Sequence, residues 1–416
     1  MPDTSLTQPC CSLSGAAAML SAMEGRFAVV VHGERDCLNS FLAFNFPGAE
    51  RFYCTNLGET QAALGRTSKA LERCLEAAAA KDAPQALIVL GTCLTEMIGD
   101  DFPAVARRFS RRMGVPVLAL RTSGLRSGTQ AELLDLLYAS LSTLSPRRGR
   151  GRSRKEGKGL ILVGLPADGA VGGASEIERT LERLGLDLVG SFPHRGDLDA
   201  WRRIGGADAA FVVDRSLYPR FAAALESRGM SVAEVPLPIG LGQSLRCLEI
   251  IARRFGVEER LKDAAADGAR ECRREIARFR ADFRGLSLAY GLRMCTNYEG
   301  DFLAYEGLGD LEFFAELGFR TALLVQGAPE SESRRRIGER LRALGRKEPF
   351  LVFPDPIVLP GILSKGGFSL AYLGGHAGPE AARAGVPLVA TRSLSPFFKG
   401  CLDNIARVRE LLSGKG

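Results

Sequence analysis

Short, unbroken apolar runs alternate along the chain with longer stretches in which apolar positions recur at helical spacing. In the first third, FAVVV (27–31), ALIVL (86–90) and VPVLAL (115–120) read as strands. Helices are expected around Ser68 to Ala80 and Val105 to Arg112. Strand-length runs bounded by Gly and Pro, separated by helices of about ten residues or more, mark parallel sheets with crossover helices.

The pattern restarts twice. GLILVGL (159–165), a helix from Ser175 to Leu184, AAFVVD (209–214) and SVAEVPLP (231–238) form a second set. After a charged helical stretch, Glu258 to Arg284, a third set follows: LSLAYGL (286–292), TALLVQG (321–327), a helix at Ser331 to Leu344, FLVF (350–353) and SLAYLGG (369–375). The fold class is therefore α/β, with three doubly wound, Rossmann-like parallel-sheet domains. They are expected over residues 1–150, 151–284 and 285–416, with a C-terminal helix returning toward the first. Length agrees: at ~150 residues per domain, 416 residues make about three, and one core stops growing near roughly 250–300. No repeat of about 20–50 residues marks a solenoid.

Composition narrows the class without naming a chemistry. With 46% hydrophobic and 25% charged residues the chain is ordinary globular protein. Its apolar runs are far shorter than the ~18 residues a membrane span needs, and the N-terminus has no signal-peptide pattern. A cytoplasmic location is expected, with no membrane partner. The net charge of +7 comes from arginine spread over the whole chain. The one dense basic run, Arg147 to Lys158, is rich in Gly and Ser and has no aromatic platforms, so it reads as a linker and not as a nucleic-acid arm.

Ten cysteines in a reducing compartment are not a disulfide framework, and no C-x-x-C pair suggests zinc. Cys74, Cys247 and Cys272 lie in helical segments and read as core. In open parallel sheets ligands sit beyond the carboxyl ends of the strands, and three cysteine segments are placed accordingly. Gln8-Pro9-Cys10-Cys11-Ser12-Leu13-Ser14-Gly15 opens the chain, His32-Gly33-Glu34-Arg35-Asp36-Cys37 follows the first strand, and Gly91-Thr92-Cys93 follows the next strong one. Soft thiolates suit iron–sulfur clusters, but strand-end cysteines can equally be packing residues.

These segments resemble the first domain of the nitrogenase component 1 superfamily. That pattern runs Cys-x-x-x-Gly (Cys11 with Gly15), His-Gly-x-x-x-Cys (His32 to Cys37) and Cys-x-x-x-x-Ile-Gly-Asp-Asp (Cys93 to Asp101), with Thr55 to Thr60 resembling a Thr-x-Leu-x-Glu-x segment between them. Weaker likeness continues at Pro238-Ile239-Gly240, Gly375 to Arg383 and Ser395 to Gly400. The resemblance implies an iron–sulfur cluster, P-cluster-like [8Fe-7S] or [4Fe-4S], held by Cys11, Cys37 and Cys93. Cys11 is preferred over Cys10 for its spacing to Gly15. It further implies a homologous second subunit sharing the cluster in an α2β2 heterotetramer, and a separate ATP-hydrolysing, Fe-protein-like reductase that supplies electrons. A second large iron–sulfur cofactor belongs to the same expectation.

The cysteine and histidine that hold the cofactor in nitrogenase α subunits have no counterpart: Asp214 and Thr391-Arg392 stand in those regions. By elimination the best match is a methylthio-alkane reductase subunit, cleaving a C–S bond reductively. The alternatives are a subunit like the N chain of dark-operative protochlorophyllide reductase, and a cofactor-assembly scaffold. A ligand-binding α/β protein with packing cysteines is the reading without a cluster. Catalytic candidates are His376 and Cys295, with His194 weaker, and Cys54 is a weaker candidate for a cluster ligand. His32 is expected to order its loop by hydrogen bonding, and Asp100 and Asp101 to cap a helix. With no P-loop and no dinucleotide fingerprint, electrons must arrive from a partner.

Overall fold

The structure, a computed structural model, describes residues 12–42, 48–123, 125, 130–146, 158–165, 170–192, 197–213, 215–292, 308–326, 335, 338–339, 341–342, 345–353, 356–374, 377–391 and 393–414. Three parallel sheets follow one another along the chain, as expected. The first comprises β1 (Phe27–His32), β2 (Phe52–Cys54), β3 (Ala86–Gly91) and β4 (Val117–Arg121), in the order β2-β1-β3-β4. The second comprises β5 (Gly159–Val163), β6 (Asp187–Phe192), β7 (Ala209–Val213) and β8 (Ser231–Val235), in the order β6-β5-β7-β8. The third comprises β9 (Ser287–Leu292), β10 (Arg320–Gln326), β11 (Phe350–Phe353), β12 (Leu370–Leu373) and β13 (Leu388–Ala390), in the order β11-β10-β9-β12-β13.

The sequence explains why β1 and β3 are central. Every residue of FAVVVH and of ALIVLG is buried, because helices cover both faces of a parallel sheet. One face packs under the helices Thr67–Asp82 and Phe102–Met113. The second of these begins where Asp101 accepts a hydrogen bond from the Ala104 amide and ends at Gly114, in the left-handed conformation that favours glycine. The opposite face joins the second sheet in one continuous core. There Tyr138 and Leu137 of the helix Gln130–Ser142 meet Trp201, Phe192 and Phe221. The Asp135 carboxylate accepts from the Arg220 and Phe221 amides at 3.0 and 2.8 Å, capping the helix Pro219–Glu226 of the second unit from the first.

A second core joins sheets two and three. The C-terminal helix Phe397–Leu412 lies in it. It packs along Ala170–Arg183 of the second unit and along Ala266–Asp282. The cause is local: Phe397 and Phe398 are buried in that core, and the Lys399 amide donates to the Glu176 carboxylate at 2.7 Å. Among the described residues no helix is long and apolar enough to cross a membrane.

Candidate functional site

Strand order in the first sheet reverses between β1 and β3, and such a switch point opens a crevice at the carboxyl ends of the strands. The two strands run in register up to His32 opposite Gly91. Cys37 lies in the helix Arg35–Leu42 that follows β1, and Cys93 is the first residue of the helix Cys93–Met97 that follows β3. Both are half-buried, unoxidised thiols. The structure thus brings two of the three expected ligands to one edge of one sheet, and Cys11 lies outside the described residues. Close approach of the two loops requires Gly33: a Cβ there would lie 2.1 Å from the Thr92 hydroxyl and 2.7 Å from its Cβ.

A buried polar network lies beneath these thiols. His32 is fully buried, with Nε2 3.1 Å from the Asp100 carboxylate and Nδ1 3.2 Å from the Thr55 hydroxyl. The Gly33 amide donates to the same Thr55 oxygen at 3.0 Å, and the Thr92 hydroxyl donates to the His32 carbonyl at 3.1 Å. Arg121, at the end of β4, donates to the Asp100 carbonyl at 3.2 Å and pairs with Glu96 at 3.1 Å. The loops after all four strands are thereby tied together.

The reading of Asp100 and Asp101 as two capping residues needs correction. Only Asp101 caps, while Asp100 turns inward to His32. Burial works to raise the Asp100 carboxyl, but hydrogen bonds from His32 and Thr67 and the nearby charges of His32 and Arg121 hold it below its ordinary 3.8. A depressed carboxyl adds stability above the unfolded value, and that stability is lost as pH falls through the lower folded value. Asp100→Ala should therefore cost about 1–3 kcal/mol at pH 7, the cost of leaving a buried partner unsatisfied. Its urea midpoint should converge on that of the wild type as pH drops below about 4, and a gap unchanged at low pH would contradict this.

The remaining described cysteines differ in kind. Cys54 ends β2 at the same edge, but its thiol is directed at the Gly33 and Glu34 carbonyls, at 3.7 and 3.6 Å, and receives the Asn56 amide. Burial raises that thiol against the opposing pull of Asn56 and Arg35. Burial likewise pushes Cys74 up to about 11 and Cys247 to about 12. Cys272 and Cys401 are fully buried, and Cys272 donates to the Phe398 carbonyl at 3.4 Å. Thiols buried or hydrogen-bonded in this way serve the packing of the interior. Met97 and Ile98, at the end of the helix that Cys93 begins, are exposed apolar side chains (74% and 41% accessible), whereas Glu34, Arg35 and Asp36 beside Cys37 are exposed and charged.

Among the described residues no three His, Cys, Asp or Glu side chains gather to hold a metal. Cys10, His194, Cys295 and His376 lie outside the described residues. Cys295 and His376 follow β9 and β12, the strands that flank the switch point of the third sheet. Sequence reasoning missed Thr67, Arg121 and Glu96. An arginine closing an otherwise apolar strand was the available signal for Arg121.

The nitrogenase component 1 type oxidoreductase model matches residues 11–355, and the chain belongs to that family. It is 30% identical over 210 residues to the light-independent protochlorophyllide reductase subunit N of Rhodopseudomonas palustris strain BisA53, covering 49% of this chain and 46% of that one. It is 28% identical over 281 residues to the same subunit of Rubrivivax gelatinosus, covering 66% and 56%. The chain spans about half the length of the curated relatives it matches first. Among solved structures it resembles nitrogenase Cp1 at pH 5, with a TM-score of 0.76 and 17% identity over 98% of this chain and 89% of that one. At that identity the likeness establishes the fold.

Proposed function

We propose that this chain is one of two homologous subunits of the catalytic component of a nitrogenase-like, two-component reductase, working in the cytoplasm. The observation carrying this is the placement of two half-buried thiols, Cys37 and Cys93, at the switch point of the first sheet. The donor set suits an iron–sulfur cluster: soft sulfur ligands, and first-turn helix amides that lack intrahelical partners and can donate to sulfides. Cys37, Cys93 and Cys11 would hold it, and when bound it supplies one-electron transfer at low potential. Three thiols are fewer than a Cys₄ site needs. The exposed apolar rim formed by Met97 and Ile98 at the end of the Cys93 helix belongs to the surface that a homologous subunit would cover while completing the ligand set.

Within this reading the chain's own residues position and shield. The helices after β1 and β3 aim the thiols, and the covered rim excludes water. Electrons come from an ATP-hydrolysing, Fe-protein-like dimer. The substrate site lies between the three domains, with Cys295 and His376 the candidate side chains, and a second large iron–sulfur cofactor would be seated there. Two substrate classes follow. Likeness to the protochlorophyllide reductase N subunits supports reduction of a conjugated ring; the departures at Asp214 and Thr391-Arg392 set aside a nitrogenase α subunit, and reductive C–S cleavage of a methylthio-alkane is kept by elimination. Incubating the co-purified complex with its reductase, ATP and each substrate separates them: ring-reduced pigment supports the first, and a thiol with its alkane or alkene the second. No ATP-dependent product from any substrate, together with transfer of a cofactor to an apo-acceptor, would make it an assembly scaffold.

A further inference from the structure

We propose that the buried His32–Asp100 pair is a positioning group for the cluster, fixing the spacing of the two thiol-bearing loops and thereby its reduction potential, without ligating iron. This rests on the cluster assignment proposed above. Both ring nitrogens of His32 are committed, one to Asp100 and one to Thr55, and the ring is fully buried, so neither nitrogen is available to a metal. Because Asp100 accepts, Nε2 carries the proton.

The pair joins the two loops at separate points. His32 is the last residue of β1 and leads into the Cys37 helix; Asp100 follows the Cys93 helix, its amide bonded to the Thr95 carbonyl within that turn. The Thr92 hydroxyl on the His32 carbonyl adds a second tie immediately before Cys93. Thr55 and Arg121 extend the frame to the outer strands, and Phe102 packs edge-on against the imidazole at 5.7 Å. Thiols carried on short helices are only as fixed as the loops beneath them. Cluster potential responds to hydrogen bonds on the sulfurs and to solvent exposure, both of which change if the loops separate.

The test uses the holo complex, purified anaerobically with its partner, in wild type, His32→Ala, His32→Gln, Asp100→Ala and the double variant. Iron content, the EPR spectrum of the reduced cluster and its midpoint potential are measured on each. His32→Ala and Asp100→Ala should retain most of the iron, yet each should move the one-electron equilibrium at least tenfold, which is 59 mV for such a couple, with altered EPR line shape. The double variant should shift no further than either single one, because both remove the same tie, and His32→Gln should recover part of the shift. Trp201→Phe, distant in the second unit, is the control: it lowers stability without moving the potential. Variants that keep iron with an unchanged potential and spectrum overturn the inference. If His32→Ala fails to fold, His32→Gln carries the same test with a smaller shift. An iron-free wild type would instead fail the cluster assignment itself, so the two failures are told apart by the wild-type control.

Discussion

Adding one methyl group at Gly33 should unseat both cysteine loops. The new Cβ would stand 2.1 Å from Thr92 Oγ1 and 2.4 Å from Thr92 Cγ2, and Thr92 cannot withdraw, because its hydroxyl bonds the His32 carbonyl and its backbone opens the Cys93 helix. Overpacking of a rigid interior costs about 1–3 kcal/mol and sometimes more, and here the strain falls on the segment carrying the thiols. Gly33→Ala should lower the urea midpoint of the chain and reduce its iron content at least severalfold. Thr92→Ala in the same chain removes the two nearest obstructing atoms and should restore part of both. A Gly33→Ala chain with wild-type iron and stability would mean that the loops are not in the contact described.

The second large effect lies away from the site. Trp201 is fully buried, its ring centroid 4.0 Å from that of Phe192, 5.4 Å from Tyr138 and 5.7 Å from Phe221. Tyr138 belongs to the first unit and the others to the second, so this indole holds the first sheet against the next. Trp201→Ala should cost about 3–5 kcal/mol, the usual price of emptying a buried tryptophan, while Trp201→Phe should cost much less. Trp201 is the only tryptophan in the chain, so circular dichroism and not fluorescence must follow unfolding. A loss under 1 kcal/mol, on that same ~3–5 kcal/mol scale, would show that the two sheets do not depend on this contact.

Much of the fold was legible because its central strands are unbroken apolar runs. FLVF matches β11 residue for residue, and the runs at 27–31 and 86–90 fall within β1 and β3. The strands that went unread are the ones with little pattern to show. β2 and β13 have three residues each, too few for any period, and β6 is interrupted by Gly190. The placement of the C-terminal helix was illegible for another reason: it depends on Glu176, far back in the sequence, accepting the Lys399 amide.

The site was half legible. Cysteines after strands can be found from the pattern, and the resemblance turned two of them into a pair. What sequence could not show is that neighbouring Asp100 and Asp101 take opposite roles, one facing His32 and one facing the Ala104 amide. That division is set by the left-handed turn at Gly99 and the start of the following helix, a three-dimensional choice that an Asp-Asp dipeptide does not announce.

The central claim is that Cys37 and Cys93 hold an iron–sulfur cluster. Its most direct test is iron and acid-labile sulfide analysis of the complex purified anaerobically with its partner, as wild type and as Cys93→Ala. The account predicts abundant iron and sulfide in the wild type and a sharp fall in the variant, with assembly intact. A colourless, iron-free wild type that folds and assembles normally would contradict it, and would leave these cysteines as packing residues on a shared fold.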